Sequence, residues 1–410
     1  MTKTAENTPI PATRTHALER LRRFVPVAGR DYAARRNFDL AAQNHPHVSG
    51  LSPYLRHRLI TEPEVLAAVL GRHSAMAAEK FIQEVVWRTY WKGWLEMRPQ
   101  VWADYRTGLA RVLADGRHDD RLAAATAGQT GIDCFDAWMR ELVATGYLHN
   151  HARMWMASIW IFTLRLPWEA GADLFMRHLL DGDPASNTLS WRWVAGLQTP
   201  GKHYLARPNN IARYTEGRFA PKGLVSDAAP LSGPPHPPRR PLPADARPNP
   251  DLPTGILLTE EDLSPGFLFD DHPGPILGHA ALISVAGRSP LPVAQPVVAF
   301  TQEAMTDARA RWSGRMGAPG PLSDDPAAIT AWALDLGLTQ IVTAYAPTGP
   351  AAHAVGVLDA MLAEVGIALI RRIRPYDQAA WPHASAGFFR FKDHIPTLIR
   401  DIAPASVDKS

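Results

Sequence analysis

The chain has 410 residues, 46% hydrophobic and 20% charged, with no apolar run near the ~20 residues that a membrane-spanning helix requires. A single cysteine, Cys134, excludes an intramolecular disulfide and any all-cysteine metal site, and the polar opening MTKTAENTPIPATRTHALERLRR lacks the apolar stretch of a secretion signal, so a reducing, cytoplasmic setting away from membranes is expected. Residues 1–220 hold 28 Lys and Arg against 21 Asp and Glu, and residues 221–410 hold 15 against 19, a basic first half that suits a nucleic-acid partner as well as a scattered solvated surface.

Helical periodicity runs through most of the first 220 residues. LITEPEVLAAVLGR carries a capping box, with Thr61 as N-cap, Pro63 in the first turn and Glu64 three residues after the cap. In AMAAEKFIQEVVWRTYWKGWLEM, residues Glu84, Trp87, Arg88 and Trp91 share one helical stripe. Two readings of that stripe stay open: a Glu84–Arg88 pair on a half-wet face, or a cavity wall where Glu84 accepts from a ligand and Trp87 stacks on it. CFDAWMRELVATGYLHNHARMWMASIWIFTLRL predicts two helices broken near Gly146, with Asn150 and Met154 one turn apart and His149 and Arg153 likewise. ADLFMRHLLDGDPASNTLSWRWVAGL predicts a helix ending near Asp181–Gly182, a turn, and a further helix. The turn residues Asp181, Asp183 and Asn187 serve either as ordinary caps or as ligand contacts, with Arg153 donating to Asp181 in the second case. They lack the ligand spacing of an EF-hand, and no metal site is expected. Ten of the thirteen tryptophans fall between Trp87 and Trp193, which suggests stacking on a planar ligand or electron transfer beyond simple core packing.

Residues 221–253 contain 11 prolines and read as an extended linker. Beyond it the texture changes. GILLTEEDL and PVVAF read as short buried strands, AITAWALDLGL as a helix, QIVTAYA as a strand, HAVGVLDAMLAEVG as a helix and IALIRRI as a strand. This alternation predicts a parallel α/β sheet with crossover helices, and no G-x-G-x-x-G follows any of the strands. The expected organisation is a helical domain at 1–220, a proline-rich linker at 221–253 and an α/β domain at 254–410.

Taken together in their order and spacing, these motifs resemble the photolyase/cryptochrome family from about Ala17 to Phe219. The carriers are Tyr32 and Arg36 followed by Ser49-Gly50-Leu51-Ser52-Pro53-Tyr54-Leu55, then FIQEVVWR at 81–88, TGYLHNHARM at 145–154 and DGDPASN…WRW at 181–193. The later segment ALDLGLTQIVTAYAPTGPAAHAVGVLDAMLAEVGIALIRRI, ending in GFFRFKDHIPTLI, is similar to the family's antenna domain, and LLTEEDLSPG at 257–266 is similar to its opening strand. In the family the antenna domain comes first, so the order here implies a circular permutation.

The resemblance implies an all-α FAD-binding domain followed by an antenna-like α/β domain. Ser49, Gly50, Leu51 and Ser52 would meet the FAD pyrophosphate together with Tyr32, although Val48 stands where the family usually has Thr. Arg153, Asp181 and Asp183 would hold the flavin and ribose side, and Asn187 would face flavin N5. Trp191 and Trp168 match the first two members of the family's electron-transfer chain, while residues 106–130 contain no tryptophan to serve as the third. Glu84, Trp87, Asn150, Met154 and Trp193 match the residues around a flipped pyrimidine dimer in DNA, flanked by Arg36 and by His151, where the family usually has Arg. The implied function is light-driven repair of pyrimidine dimers. The alternatives are a blue-light photosensor with a protein partner or a redox flavoprotein without repair. The residues name no antenna chromophore.

Overall fold

A computed structural model describes residues 10–40, 45–270 and 274–402, so the polar opening at 1–9 lies outside it. Local cap chemistry sets the helix starts. Thr61 accepts from the Glu64 amide while the Glu64 carboxylate accepts from the Thr61 amide at 2.8 Å, closing the capping box ahead of helix Glu62–Leu70. Helix Glu79–Glu96 follows and carries the aromatic stripe through the middle of the helical region. Helix Asp133–Thr145 stops on Gly146, whose φ of 65° puts it in the left-handed region, and helix Asn150–Ser158 begins immediately beyond. This second helix runs into a π-helical turn at Ile159–Thr163, which no sequence signal marked because the segment is apolar on every side. Helix Trp168–His178 leads to the Asp181–Gly182 turn, and Asp183 caps helix Pro184–Ala195 by accepting from the Ser186 amide at 2.7 Å.

Residues 221–253 contain neither helix nor strand. They lie along the helical region, with Leu231 N donating to Ala195 O and Arg240 N to Met97 O. The chain then enters a five-stranded, all-parallel sheet: β1 (Thr254–Thr259), β2 (Ile276–Leu282), β3 (Ala318–Ser323), β4 (Gln340–Ala344) and β5 (Ala368–Arg372). The strand order is β3-β2-β1-β4-β5, which places the crevice of a doubly wound sheet at the carboxyl ends of β1 and β4. One expected strand is a helix instead. PVVAF opens helix Gln295–Trp312, whose buried Val297, Phe300, Ala304, Met305 and Ala308 follow helical spacing. A five-residue apolar run carries no period of its own, and the longer repeat decides. Strands β2 and β3 were not anticipated, since glycine and proline dilute their β-forming residues.

The crevice faces the helical region, and ion pairs fill it. After β1, Glu261 takes Arg56 at 2.6 Å and Lys92 at 3.3 Å, while Asp262 takes Arg374 at 2.7 Å and Arg58 at 3.2 Å. After β4, the Tyr345 hydroxyl donates to Glu96 at 2.7 Å. The chain end returns to helix Glu79–Glu96: Trp381 packs on Gly93, Tyr90 donates to Ala386 O at 2.7 Å, and Lys392 pairs with Glu79 at 2.8 Å. One apolar cluster therefore runs from Phe24 and Phe81 through Val297 and Phe300 to Phe391 and Ile395. Among the described residues no helix is long and apolar enough to cross a membrane.

Candidate functional site

Most of the singled-out residues gather where the Ser52–Arg56 helix, helix Glu79–Glu96 and the Asp181–Gly182 turn converge. Ser49, Gly50 and Leu51 lead into that short helix, with Leu51 at its N-cap, and Gly50 holds φ at 60°. A methyl group on Gly50 would overlap the Arg20 guanidinium, whose Nε donates to Ser49 O at 2.9 Å. Loop backbone and a cation thus lie together, an arrangement suited to an anion. Ser52 donates its hydroxyl to Asp181, joining this loop to the turn. Arg153 donates to both Asp181 oxygens at 3.0 Å and lies over the Tyr147 ring. Burial pushes the Asp181 carboxyl up, but Arg153, Arg88 and the Ser52 hydroxyl more than offset this and hold it below the ordinary value.

Asp183 is fully enclosed. Burial opposes its charge, yet Lys92 at 3.5 Å, Arg88 at 3.9 Å and Arg56 at 4.0 Å hold it well below the usual carboxylate range. Asn187 donates to Ala172 O at 2.8 Å, which fixes its amide with the carbonyl oxygen turned the other way. Arg88 Nη1, Asp183 Oδ2, Thr188 Oγ1 and Trp191 Nε1 are buried without hydrogen-bond partners among the described residues. Arg88 Nη1 and Asp183 Oδ2 meet each other only as an ion pair at 3.9 Å, so with Thr188 and Trp191 they keep hydrogen-bonding capacity that suits a ligand rich in donors and acceptors, a description a flavin with its phosphates fits.

A second group lies beside the first. Arg36 bonds to Glu84 and to the Tyr32 hydroxyl, so Glu84 finds its cation 48 residues away and not in Arg88. Asn150 is exposed at the head of its helix and Met154 is half-buried one turn on. His151 turns inward, its Nδ1 on Asn37 O at 3.0 Å. Trp87 lies face to face with Phe388 of the Phe388–Lys392 helix, centroids 3.5 Å apart at 11°. Trp193 is stacked against Tyr204, centroids 5.9 Å apart. Trp191 meets Trp160 and Phe175, whereas Trp168 meets Tyr105, which in turn touches Trp102. Arg20, Tyr147, Lys92 and Phe388 are contributors that local sequence patterns do not flag. Arg20, Lys92 and Phe388 are signalled only by partners dozens to hundreds of residues away.

His149 gives this region a pH dependence. It is fully buried with Nε2 on Arg36 O at 3.0 Å, and burial, reinforced by His45 and His151, lowers its pKa to about 3. Between pH 6.5 and 3 the unfolded imidazole takes up a proton that the folded one refuses, so its contribution is complete above 6.5 and lost as pH falls. The expected slope from this group is ~1.4 kcal/mol per pH unit. Urea midpoints between pH 7 and 5 should fall less steeply in His149→Phe than in the parent, and identical slopes would remove the assignment.

Comparison with known proteins bears on the same segments. Residues 81–222 match the family model described as the FAD binding domain of DNA photolyase. The chain is 36% identical over 164 residues to a deoxyribodipyrimidine photo-lyase of Streptomyces griseus, covering 40% of this chain and 34% of that one. It is 33% identical over 196 residues to the deoxyribodipyrimidine photo-lyase of a Synechococcus species, covering 46% and 39%. A crystal structure of a bacterial class III photolyase from Agrobacterium tumefaciens aligns with 50% of this chain and 43% of that one, at 29% identity and a TM-score of 0.42. The chain spans less than half the length of these curated relatives.

Proposed function

We propose that this chain, whose residues 81–222 match the family model for the FAD binding domain of DNA photolyase, is a light-driven deoxyribodipyrimidine photo-lyase acting in the cytoplasm on pyrimidine dimers in DNA. The observation that carries the reading is the convergence of the Ser49–Ser52 loop on the Arg153–Asp181 pair, beside buried polar atoms that lack partners.

FAD, when bound, supplies the one-electron chemistry that splits the dimer. The chain's own residues bind and orient. Ser49, Gly50, Leu51, Ser52 and Tyr32 hold the phosphates, with Arg20 adding a charge behind the loop. Asp181 and Asp183 take the donors of the ribose and flavin side, and Arg153 keeps Asp181 ionised. Asn187 faces the ring edge, held by Ala172 O. Trp191, which packs on Gly171, and Trp168, which opens helix Trp168–His178, would carry electrons toward the flavin. Glu84, held by Arg36, meets the hydrogen-bonding edge of an extruded base, with Asn150, Met154 and Trp193 around it and His151 near the backbone. The division at 1–220, 221–253 and 254–410, and a permuted order that places the antenna-like domain last, belong to the same proposal.

A second reading is a photosensor or redox flavoprotein without repair. It is favoured by Phe388, which already covers one face of Trp87, and by His151, whose Nδ1 is already engaged by Asn37 O. An absorption spectrum of the purified protein, coupled to a blue-light assay on dimer-containing DNA, tests both. Oxidised FAD with light-dependent loss of dimers is the expected result. FAD without repair selects the second reading, and a protein that neither holds nor takes up FAD removes both.

A further inference from the structure

Arg288 reaches from the α/β region into the helical one and is 1% exposed. It ends the short turn Val285–Arg288 that follows β2, and the helical region holds its backbone. Arg106 of helix Gln100–Asp115 donates to Arg288 O at 3.1 Å, and a little further on Ala294 N donates to Arg177 O at 3.0 Å. The guanidinium lies against the turn between Asp181 and Asp183. Its Nη1 donates to Leu179 O at 3.3 Å, and a methyl group on Gly182 would come within 3.1 Å of the same atom. Arg56 Nε donates to Gly182 O at 2.9 Å, so two cations grip the glycine that separates the proposed flavin contacts.

Arg288 has no countercharge of its own. Its Nε and Nη2 are buried without hydrogen-bond partners among the described residues. The carboxylates that its charge feels are each engaged elsewhere: Asp181 by Arg153, Glu261 by Arg56 and Lys92, and Glu260 by the Ser284 amide and hydroxyl. Burial and the neighbouring Arg56 lower its pKa to about 10, which still leaves it charged at neutral pH. A buried cation without a partner costs the fold free energy, and an apolar side chain of similar volume is usually better tolerated. A local rule broken at such a cost points to function. Reduction of a flavin beside this turn adds negative charge, and a fixed cation nearby favours that form. We infer that Arg288 is a positioning residue of the flavin site, supplied by the α/β region: it fixes the Asp181–Asp183 turn and lends it an uncompensated positive charge that favours the reduced flavin. The inference rests on the proposed FAD reading and deepens it, because it ties the flavin's potential to the docking of the α/β region.

The midpoint potential of FAD bound to the full chain tests this, read by reductive titration against a reference dye, beside urea midpoints of the flavin-free full chain. Arg288→Met keeps the stem and removes the charge. Its flavin potential should fall by about 30 mV or more, a ten-fold drop in the reduced-to-oxidised ratio of a two-electron couple. Its urea midpoint should equal or exceed the parent's, because a stranded charge is gone. Arg288→Lys keeps the charge and should recover most of the potential. A folded Arg288→Met that no longer takes up FAD supports the inference as well, since the turn has then lost its support. The parent's potential in Arg288→Met, or an equal fall in Arg288→Lys, overturns the inference and leaves the FAD reading standing. So does an Arg288→Met chain that does not fold, which would assign the charge to the fold. A parent that takes up no FAD overturns both.

Discussion

An Asp181→Ala variant should purify without the yellow colour of bound flavin. Its side chain is 3% exposed, accepts two hydrogen bonds from Arg153 at 3.0 Å, and takes a third from the Ser52 hydroxyl. Removing Asp181 strips Arg153, itself one-quarter exposed, of its carboxylate, which should cost somewhat less than the ~3–5 kcal/mol of a fully buried pair. That penalty falls on the turn that proposed FAD contacts share with the phosphate loop. A loss of ~3 kcal/mol there, converted to affinity, is roughly a hundred-fold. Asp181→Asn keeps the shape and loses the charge, so its flavin content should lie between that of Asp181→Ala and the parent. Arg153→Met should approach the alanine variant from the other side of the pair. The readouts are the flavin-to-protein absorbance ratio and a titration of the apoprotein with FAD. Stoichiometric flavin in Asp181→Ala would remove the turn from the binding site.

How far these features can be read from sequence depends on the distance between partners. The Thr61–Glu64 capping box and the stop at Gly146 are local, and the structure places them where their spacing does. The strand–helix alternation after β1 is legible in QIVTAYA, HAVGVLDAMLAEVG and IALIRRI because each has a period of its own. PVVAF does not, and the 18-residue helix around it overrides its strand-like composition. Pairings fare worse. Spacing offered Glu84 a partner in Arg88 one turn away, but Arg36 takes Glu84 and Arg88 turns to Asp183. Local pattern cannot rank a contact across 48 residues against one across four. The stack of Phe388 on Trp87 spans 301 positions and owes its existence to the chain end folding back along helix Glu79–Glu96. Arg20 is hidden for the same reason, an ordinary basic residue on an amphipathic helix until the loop at Gly50 is seen to wrap it.

The same logic makes Arg58 the residue whose loss should most weaken the joined fold. It is buried, holds a left-handed backbone at φ 49°, and reaches Glu62 at 3.3 Å, Asp262 at 3.2 Å and Asp377 at 2.8 Å. Those partners come from the helical region, the end of β1 and the C-terminal helices. Arg58→Met leaves Asp262 with Arg374 but strips Asp377 and Glu62 of their cation. Breaking a buried pair in this way should cost ~3–5 kcal/mol at pH 8. Burial already pushes the Asp377 carboxyl above its ordinary value, with Arg58 opposing the rise and Glu62 adding to it. Without Arg58 the folded carboxyl rises further, above its unfolded value. A group raised on folding favours the folded state at low pH and penalises it as pH climbs through the folded pKa. The gap between parent and variant should therefore narrow from pH 8 to pH 5, and adding Asp377→Asn to Arg58→Met should recover part of the loss at pH 8. Urea midpoints at the two pH values decide it. A gap below ~1 kcal/mol at pH 8 would mean that the clasp contributes no more than an exposed ion pair. A gap that does not change with pH would place the cost in lost packing of the arginine stem and not in the stranded charge.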